Sequence, residues 1–328
     1  MNARELLQAI AHDPSTSGSA LASRFGVSRA AIWKQVTLLR AVGVPIAAKA
    51  GDGYRLTHSL DLLDGDRITA AVREFSGSTC PIEVFWQIDS TNSELLRRAQ
   101  AGVVDPAACL AELQTAGRGR RGRAWHTPLG GGLAFSLFHS FNSSMSALAG
   151  LSLAVGVGIV RALGDFGYTG LGLKWPNDVQ VDGRKLAGIL IELGGDALGP
   201  CHAVIGVGLN LRLDADAGKA IDQPWVDLAS IAALPVPDRN LLAARLLGRL
   251  LDVLGEFERK TFAAFEEEFA QYDVLRDQPI HITGGIGPRQ GTAIGVDCRG
   301  ALRVRDARGE FLVDSGEISV RRLKGAEA

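Results

Sequence analysis

Four residues, Val181-Asp182-Gly183-Arg184, constrain the fold of this 328-residue chain more than any other stretch. They lie between strand candidates at 179–181 and 188–192 and leave room for little more than a turn. So short a link returns the chain antiparallel, because a parallel crossover takes about a dozen residues or more. Other strand candidates stand at 83–88, 107–114, 133–138, 172–175 and 203–211, and helical spacing predicts helices at 92–101, 145–163 and 241–272. The expected class is α+β, with a central mixed or antiparallel sheet carrying helices on one face rather than a doubly wound fold. The segment around Leu148 to Leu163 is the most apolar, yet Gly150, Gly156, Gly158 and Arg161 interrupt it. It is too short and too broken to span a bilayer and reads as a core helix.

The two ends differ in texture. Near the N-terminus, Leu6, Leu7 and Ile10 fall on one face of a helix at 5–11, and a second short helix spans 19–25. Gly26-Val27-Ser28 makes a tight turn. Ser28 is placed to cap a third helix running to about Ala41, with Ile32, Val36 and Leu39 at core spacing. Short extended runs around Gly51-Asp52-Gly53 complete a wing, so residues 1–65 are expected to form a winged helix-turn-helix. The first 58 residues carry seven Arg and Lys against three Asp and Glu, a net of +4. Ser28, Arg29, Lys34, Gln35, Arg40, Lys49 and Arg55 are then candidate DNA contacts, with a small protein-interaction module as the alternative. Residues 59–66 read as a linker and 66–272 as the central unit. Residues 273–328, short alternating runs split by Gly turns, read as a small β-barrel.

At a net charge of −1 the whole chain is no polyanion-binding tail, so any anion site must be local. Cys80, Cys109, Cys201 and Cys298 lack paired spacing, which argues against a zinc or disulfide framework and suits a reducing cytoplasm. The first residues lack a basic-then-apolar export signal.

The densest chemistry lies between Gln114 and Trp125, where Arg118, Arg120, Arg121 and Arg123 alternate with Gly117, Gly119 and Gly122. Glycines allow close backbone approach and positive φ, and guanidinium groups bind phosphate or carboxylate bidentately. Gly117-x-Gly119-x-x-Gly122 matches a dinucleotide fingerprint formally, but it leads into Trp125-His-Thr-Pro128 and Gly130–Gly132 instead of opening a helix. The segment reads as a mobile phosphate clamp, or else as a solvated basic loop or a second nucleic-acid contact. Asp89-Ser-Thr-Asn92 follows a strand; Thr91 and Glu94 can form a capping box, and the same helix start offers amides and hydroxyls to a polar ligand. Lys185 leads into an apolar strand and can meet a substrate carboxylate or phosphate, or sit at the surface of a hairpin. Gly206 and Gly208 strip one strand face of side chains, so that a flat ligand or another backbone can approach.

Taken in order, Asp89-Ser-Thr-Asn92, the Gln114–Trp125 stretch, Lys174-Trp-Pro-Asn-Asp178, Arg184-Lys-Leu-Ala-Gly-Ile-Leu190 and Gly206-x-Gly-x-Asn210 resemble the biotin–protein ligases. With the helix-turn-helix and Gly316-Glu-Ile-Ser319, the resemblance spans essentially the whole chain and points to the bifunctional members that also repress a biotin operon. It implies a class II synthetase-like central domain and an SH3-like C-terminal barrel. It implies synthesis of biotinyl-5′-AMP from biotin and MgATP, then transfer of biotin to one lysine of the biotin carboxyl carrier protein of acetyl-CoA carboxylase. Ser90, Thr91, Asn92 and Gln114 would bind the biotin head group, Gly117 to Arg120 would wrap it, and Trp125 would cover it. Gly188, Gly206 and Gly208 would leave room for the bicycle. Lys185 would stand between biotin's carboxylate and the α-phosphate as the main catalytic cation, with Arg118, Arg120, Arg121 and Arg123 neutralising phosphate. Asn177, Asp178 and Asn210 would serve the nucleotide, Asp178 also its Mg2+, while Trp225 would stack on adenine and Arg321 would reach the triphosphate. The resemblance further implies a cytoplasmic protein that closes its loop on the ligand, forms a homodimer when biotinyl-AMP is bound and then presents two winged helices to operator DNA. A lipoate–protein ligase is the nearest rival reading, and a ligand-sensing regulator without catalysis is another.

Overall fold

Side-chain caps decide where the first helices begin. In the computed structural model, α1 (Ala3–His12) opens at Asn2, whose side chain accepts from the Glu5 N–H while the Glu5 carboxylate accepts from the Asn2 N–H. Ser17 caps α2 (Gly18–Phe25) and Ser28 caps α3 (Arg29–Ala41), with Gly26 in the left-handed region (φ 63°) at the corner between them. Leu6, Leu7, Ile10, Leu21, Ile32, Val36 and Leu39 bury together, and β1 (Ile46–Lys49) pairs antiparallel with β2 (Gly53–Leu56). The winged helix-turn-helix is therefore present. The structure describes all residues except 1, 14–15, 50–52, 58–59, 103–105, 214–217, 219–220, 222, 232–233, 285–286, 315–317 and 324–328. The wing turn at Gly51-Asp52, the side chain of Lys49, and Gly316 and Glu317 lie outside that description.

The stretch after the wing is not a free linker. Leu60 and Leu63 are buried, and the Leu63 N–H donates to Glu112 Oε1 at 2.6 Å. Glu112 also holds Arg239 at 2.8 Å, and Arg239 in turn donates to Asp61 O at 2.9 Å and Gly132 O at 3.1 Å. An unpredicted helix, α4 (Gly65–Ser76), follows at once, capped by Asp64.

The central sheet has seven strands: β3 (Ile82–Ile88), β4 (Ala107–Gln114), β5 (Gly132–Phe141), β6 (Gly172–Lys174), β7 (Asp178–Val181), β8 (Arg184–Gly195) and β9 (Cys201–Asn210). Their order is β3-β4-β5-β9-β8-β7-β6, with β3 and β4 parallel and every other pair antiparallel. The turn at Val181–Arg184 makes the β7–β8 hairpin, with Gly183 at φ 73°. Helices cover both faces, not the one face expected, because alternate residues of β4 are apolar on each side. α5 (Thr91–Gln100) packs over Ala107, Cys109 and Phe138, while Ala108 and Leu110 of the same β4 face the main core beneath α4 and α6 (Leu151–Gly164). That core holds nine apolar residues of α6, as its apolar sequence requires.

Two expected long helices are broken. The first has a 3-10 turn at Met145–Leu148 before α6, because Gly150 takes φ 78° where a Cβ would strike Phe262. After the one-turn α7 (Leu228–Ile231), the second divides into α8 (Arg239–Lys260), a 3-10 turn at Phe262–Ala264 and α9 (Glu266–Tyr272). Thr261 at φ 58° makes the break and lets Phe262 and Phe265 both turn inward to 0% exposure. The C-terminal strands β10 (Pro279–Thr283), β11 (Arg289–Val296), β12 (Leu302–Asp306), β13 (Gly309–Val313) and β14 (Ser319–Arg322) form a five-stranded antiparallel sheet ordered β13-β12-β11-β10-β14. Its apolar residues continue the central core without a break, and Trp175 Nε1 donates to Gly300 O at 3.0 Å across the junction. Among the described residues, no helix is long and apolar enough to cross a membrane.

Candidate active site

The floor of the site is a bare patch of sheet. Gly188 of β8 faces Gly208 of β9 in register, and Gly206 lies two residues before Gly208. A Cβ at Gly208 would fall on the Trp125 indole, one at Gly188 would meet that ring at 3.1 Å, and one at Gly206 would strike the Asn92 carboxamide. The floor thus exists because these positions have no side chain, and a flat indole rests on it.

The wall is the start of α5. Ser90, not Thr91, is the N-cap, accepting from the Ser93 N–H at 3.4 Å, and Glu94 pairs with Arg97 and Arg98 instead of closing the expected capping box. Thr91 is thereby free to use both its N–H and its hydroxyl on Gln114 Oε1, at 2.8 and 3.2 Å. Ser136, buried on β5, lies 2.7 Å from the Thr91 hydroxyl and 2.5 Å from Asn92 Oδ1. Asn92 Nδ2 donates to Leu190 O at 3.3 Å and to Glu192 Oε2 at 2.8 Å. Between floor and wall lies a cavity of about 50 Å3.

The arginine-glycine loop closes over this cradle. The Trp125 N–H donates to Gly117 O at 2.9 Å and the Gly119 N–H to Arg123 O at 2.7 Å. Gly117 serves close approach, since a Cβ there would stand 2.5 Å from Trp125 O. Positive φ falls to Gly122 (70°) and, against expectation, to Arg121 (59°). The four arginines part company. Arg118 turns to Glu192 Oε2 at 3.0 Å and Ser93 at 3.3 Å, whereas Arg120, Arg121 and Arg123 face a second, larger cavity.

That second cavity measures about 340 Å3 and is lined by Arg120, Arg121, Arg123, Lys174, Lys185 and Arg321, with Asp178 as the carboxylate among its lining residues. Burial lowers the Arg120 pKa, and Asp178 partly offsets it. Burial also holds Lys174 below its usual 10.5, with Lys185, Arg321 and Arg123 pushing the same way against Asp178. So many cations around one hollow make a polyanion site. Lys185 borders both cavities, paired with Asp178 Oδ1 at 2.6 Å and 5.6 Å from the Trp125 ring centre. Trp225 lines the larger cavity, and a backbone bridge holds it there: the Lys185 N–H donates to Pro224 O and the Val226 N–H to Lys185 O, both at 2.9 Å. Asn210 spends its amide on Val226 O (3.1 Å) and Lys185 O (3.4 Å), so it positions that bridge. Asn177 ties the loop to β8, accepting from Arg120 at 3.4 Å and donating to Ile189 O at 2.7 Å. Among the described residues no group of three or more His, Cys, Asp or Glu could hold a metal ion.

Sequence reasoning missed Ser136, Glu192 and Lys174. Ser136 and Glu192 sit in apolar strands with no local signal except their polarity at buried or half-buried positions; Lys174 stood inside a noted motif without a role. On α3 and the wing, Arg29, Lys34 and Arg55 are exposed and Gln35 is half-buried. Arg40 Nε donates to Ile46 O at 2.9 Å and so also braces the wing.

Comparisons with known proteins agree with this geometry. Residues 84–210 match the biotin/lipoate A/B protein ligase family, and residues 2–55 match an HTH domain. The chain is 36% identical to the bifunctional ligase/repressor BirA of Salmonella typhimurium over 96% of both chains. It is 35% identical to that of Escherichia coli, over 97% of this chain and 96% of the relative. Among solved structures, the biotin protein ligase of Aquifex aeolicus in complex with biotin and ATP superposes with a TM-score of 0.62 at 26% identity, covering 74% of this chain and 99% of the other. A helix-turn-helix joined to a glycine-floored, cation-rimmed site, with identity over nearly the full length, places the chain in the family of bifunctional biotin ligase/repressors.

Proposed function

We propose that the protein activates biotin with ATP to biotinyl-5′-AMP, transfers biotin to a lysine of a biotin carboxyl carrier protein, and binds operator DNA as a repressor. The observation that carries this reading is the place of Lys185, where the glycine-floored cradle meets the cation-lined cavity. In this reading Ser90, Thr91, Asn92 and Gln114 hold the head group over Gly188, Gly206 and Gly208, with Gly117–Arg120 and Trp125 above it. Biotin's carboxylate and the α-phosphate then approach Lys185 from opposite cavities.

A carboxylate oxygen attacks the α-phosphorus, the bond to the β-phosphate oxygen breaks, and pyrophosphate leaves. Both partners are anions, so catalysis is mostly charge neutralisation and alignment. Lys185 serves the reacting centre, and Arg120, Arg121, Arg123, Lys174 and Arg321 serve the phosphates. Trp225 offers its ring to adenine, while Asn177 and Asn210 hold the loop and the bridge in place. Asp178 is the protein carboxylate positioned to meet a Mg2+ carried in by the nucleotide, which would neutralise phosphate charge; one carboxylate suits an ion held chiefly by phosphates. The acceptor lysine amine next attacks the acyl carbon of the adenylate and AMP departs.

Residues 1–65 are the DNA-binding unit, 66–272 the ligase unit and 273–328 the C-terminal unit, all working in the cytoplasm where ATP and the carrier are at hand. Binding of biotinyl-AMP drives homodimerisation, which brings two winged helices to the operator. Labelled biotin, ATP and an apo carrier domain test the ligase: wild type should label the carrier and Lys185→Ala should not. Absence of biotin transfer by the wild type sinks the proposal, and a biotinyl-AMP complex that sediments as a monomer at high concentration sinks the linkage to dimerisation.

A further inference from the structure

We infer that Glu192 is a positioning residue that latches the arginine-glycine loop to the head-group cradle, so that Arg118 serves the loop's closure rather than phosphate. The inference rests on the ligase reading for what the cradle holds, but the latch itself is a matter of geometry. Glu192 lies on β8 and lines neither cavity. One of its oxygens, Oε2, accepts from two directions: from Asn92 Nδ2 at 2.8 Å and from Arg118 Nη2 at 3.0 Å. Asn92 belongs to the wall, at 3% exposure, and Arg118 belongs to the loop. A single carboxylate oxygen therefore joins the fixed and the closing parts of the site.

The same carboxylate sets the face that Asn92 shows. An ionised carboxylate accepts only, so Asn92 must turn its Nδ2 toward Glu192 and its Oδ1 toward Ser136, 2.5 Å away. Gly206 leaves the space this carboxamide needs. A negative group beside a site built for anions is costly unless a cation answers it, and Arg118 gives that answer. Arg118 is consequently engaged at the cradle, while Arg120, Arg121 and Arg123 line the cation-rich cavity. Opening the loop must break the Arg118–Glu192 pair but can leave Asn92 in place.

Glu192→Gln separates the two contacts, keeping an acceptor for Asn92 and removing the charge that holds Arg118. Limited trypsin digestion of the full-length chain, with and without biotin and ATP, reads the loop directly, because a protease must draw the segment around Arg120, Arg121 and Arg123 out of its closed position to cut it. Cleavage there should accelerate about two- to fivefold, the range expected for a partly exposed charge-assisted pair, with an unchanged thermal midpoint. Biotinyl-adenylate should leave the variant faster by a similar factor and KM for biotin should rise, with kcat at saturating biotin within about twofold of wild type. Arg118→Gln should accelerate cleavage of the loop to the same extent, and the double variant should be cleaved no faster than either single one. Glu192→Ala, which also releases Asn92, should lose more biotin affinity than Glu192→Gln. Unchanged cleavage in Glu192→Gln, or additive effects in the double variant, would overturn the latch. Faster cleavage in a protein whose wild type binds no biotin would uphold the latch and refute the biotin reading instead.

Discussion

Leu129 is where the loop segment meets the DNA-binding unit, and Leu129→Ala measures what that junction carries. It stands four positions after Trp125, is 1% exposed, and packs in the same cluster as Leu6, Ile32 and Leu39. Its N–H donates to Val42 O at 3.2 Å, at the end of α3, and the neighbouring Pro128 packs on Gly43. Truncation removes three buried carbons, about 2.4 kcal/mol of transfer energy at about 0.8 per methylene. A cavity adds to this, so a total of about 3 kcal/mol is expected, inside the usual range of about 2–5. A unit of about 60 residues melting on its own shifts by about 4–8 °C per kcal/mol, so its transition should fall by about 12–24 °C. Differential scanning calorimetry of the full-length chain reads this as an early transition separating from the main one. Ligase activity should persist at low temperature, because Leu129 lines neither cavity. A loss of less than about 1 kcal/mol, the size of an ordinary surface substitution or little more, would refute the claim that Leu129 ties the two units together.

Three further outcomes follow from the geometry. Gly208→Ala places a methyl inside the seat of the Trp125 indole, and overpacking of about 1–3 kcal/mol should weaken biotin binding about 5- to 150-fold by calorimetry; unchanged affinity would show that the floor is not used. Lys174 has a lowered pKa, and a bound polyphosphate favours its charged form, so nucleotide binding takes up a proton. ATP affinity should therefore fall as pH rises through that lowered pKa toward 10.5, and Lys174→Met should flatten the slope; an equal slope in the variant contradicts the assignment. Glu112→Gln leaves the Arg239 cation, 4% exposed, without its counter-charge, and denaturant unfolding should show a loss of about 3–5 kcal/mol; a loss under about 1 would mean the pair does not hold the junction between the wing and α4.

What could be read from sequence was what local chemistry decides. Ser28, Gly26 and the spacing of Ile32, Val36 and Leu39 specify α3 and its corner from within a dozen residues, and the structure has them so. The hairpin at Val181–Arg184 and the glycines at 206 and 208 were legible for the same reason, short range being enough to decide them, whereas Gly188 followed only from the family resemblance. The failures came where tertiary packing overrides periodicity. Apolar spacing runs on through Thr261 and Gly150, yet the chain breaks there so that Phe262 can reach the core. α4 hid behind a segment that reads as a linker, because what makes it structural is Glu112, some fifty residues on, and Arg239, far beyond that. Glu192 and Ser136 matter only because β5, β8 and α5 converge, and no single segment carries that information.

The most direct measurement of the central claim is transfer of labelled biotin to an apo biotin carboxyl carrier domain by the purified full-length chain with ATP, run beside labelled lipoate and beside Lys185→Ala. The site described here predicts biotin on a single carrier lysine, pyrophosphate and AMP as products, little lipoate transfer, and a loss of at least about a hundredfold in Lys185→Ala, the usual scale for a removed transition-state charge contact. Lipoate transferred as readily as biotin, or full activity without Lys185, would contradict it.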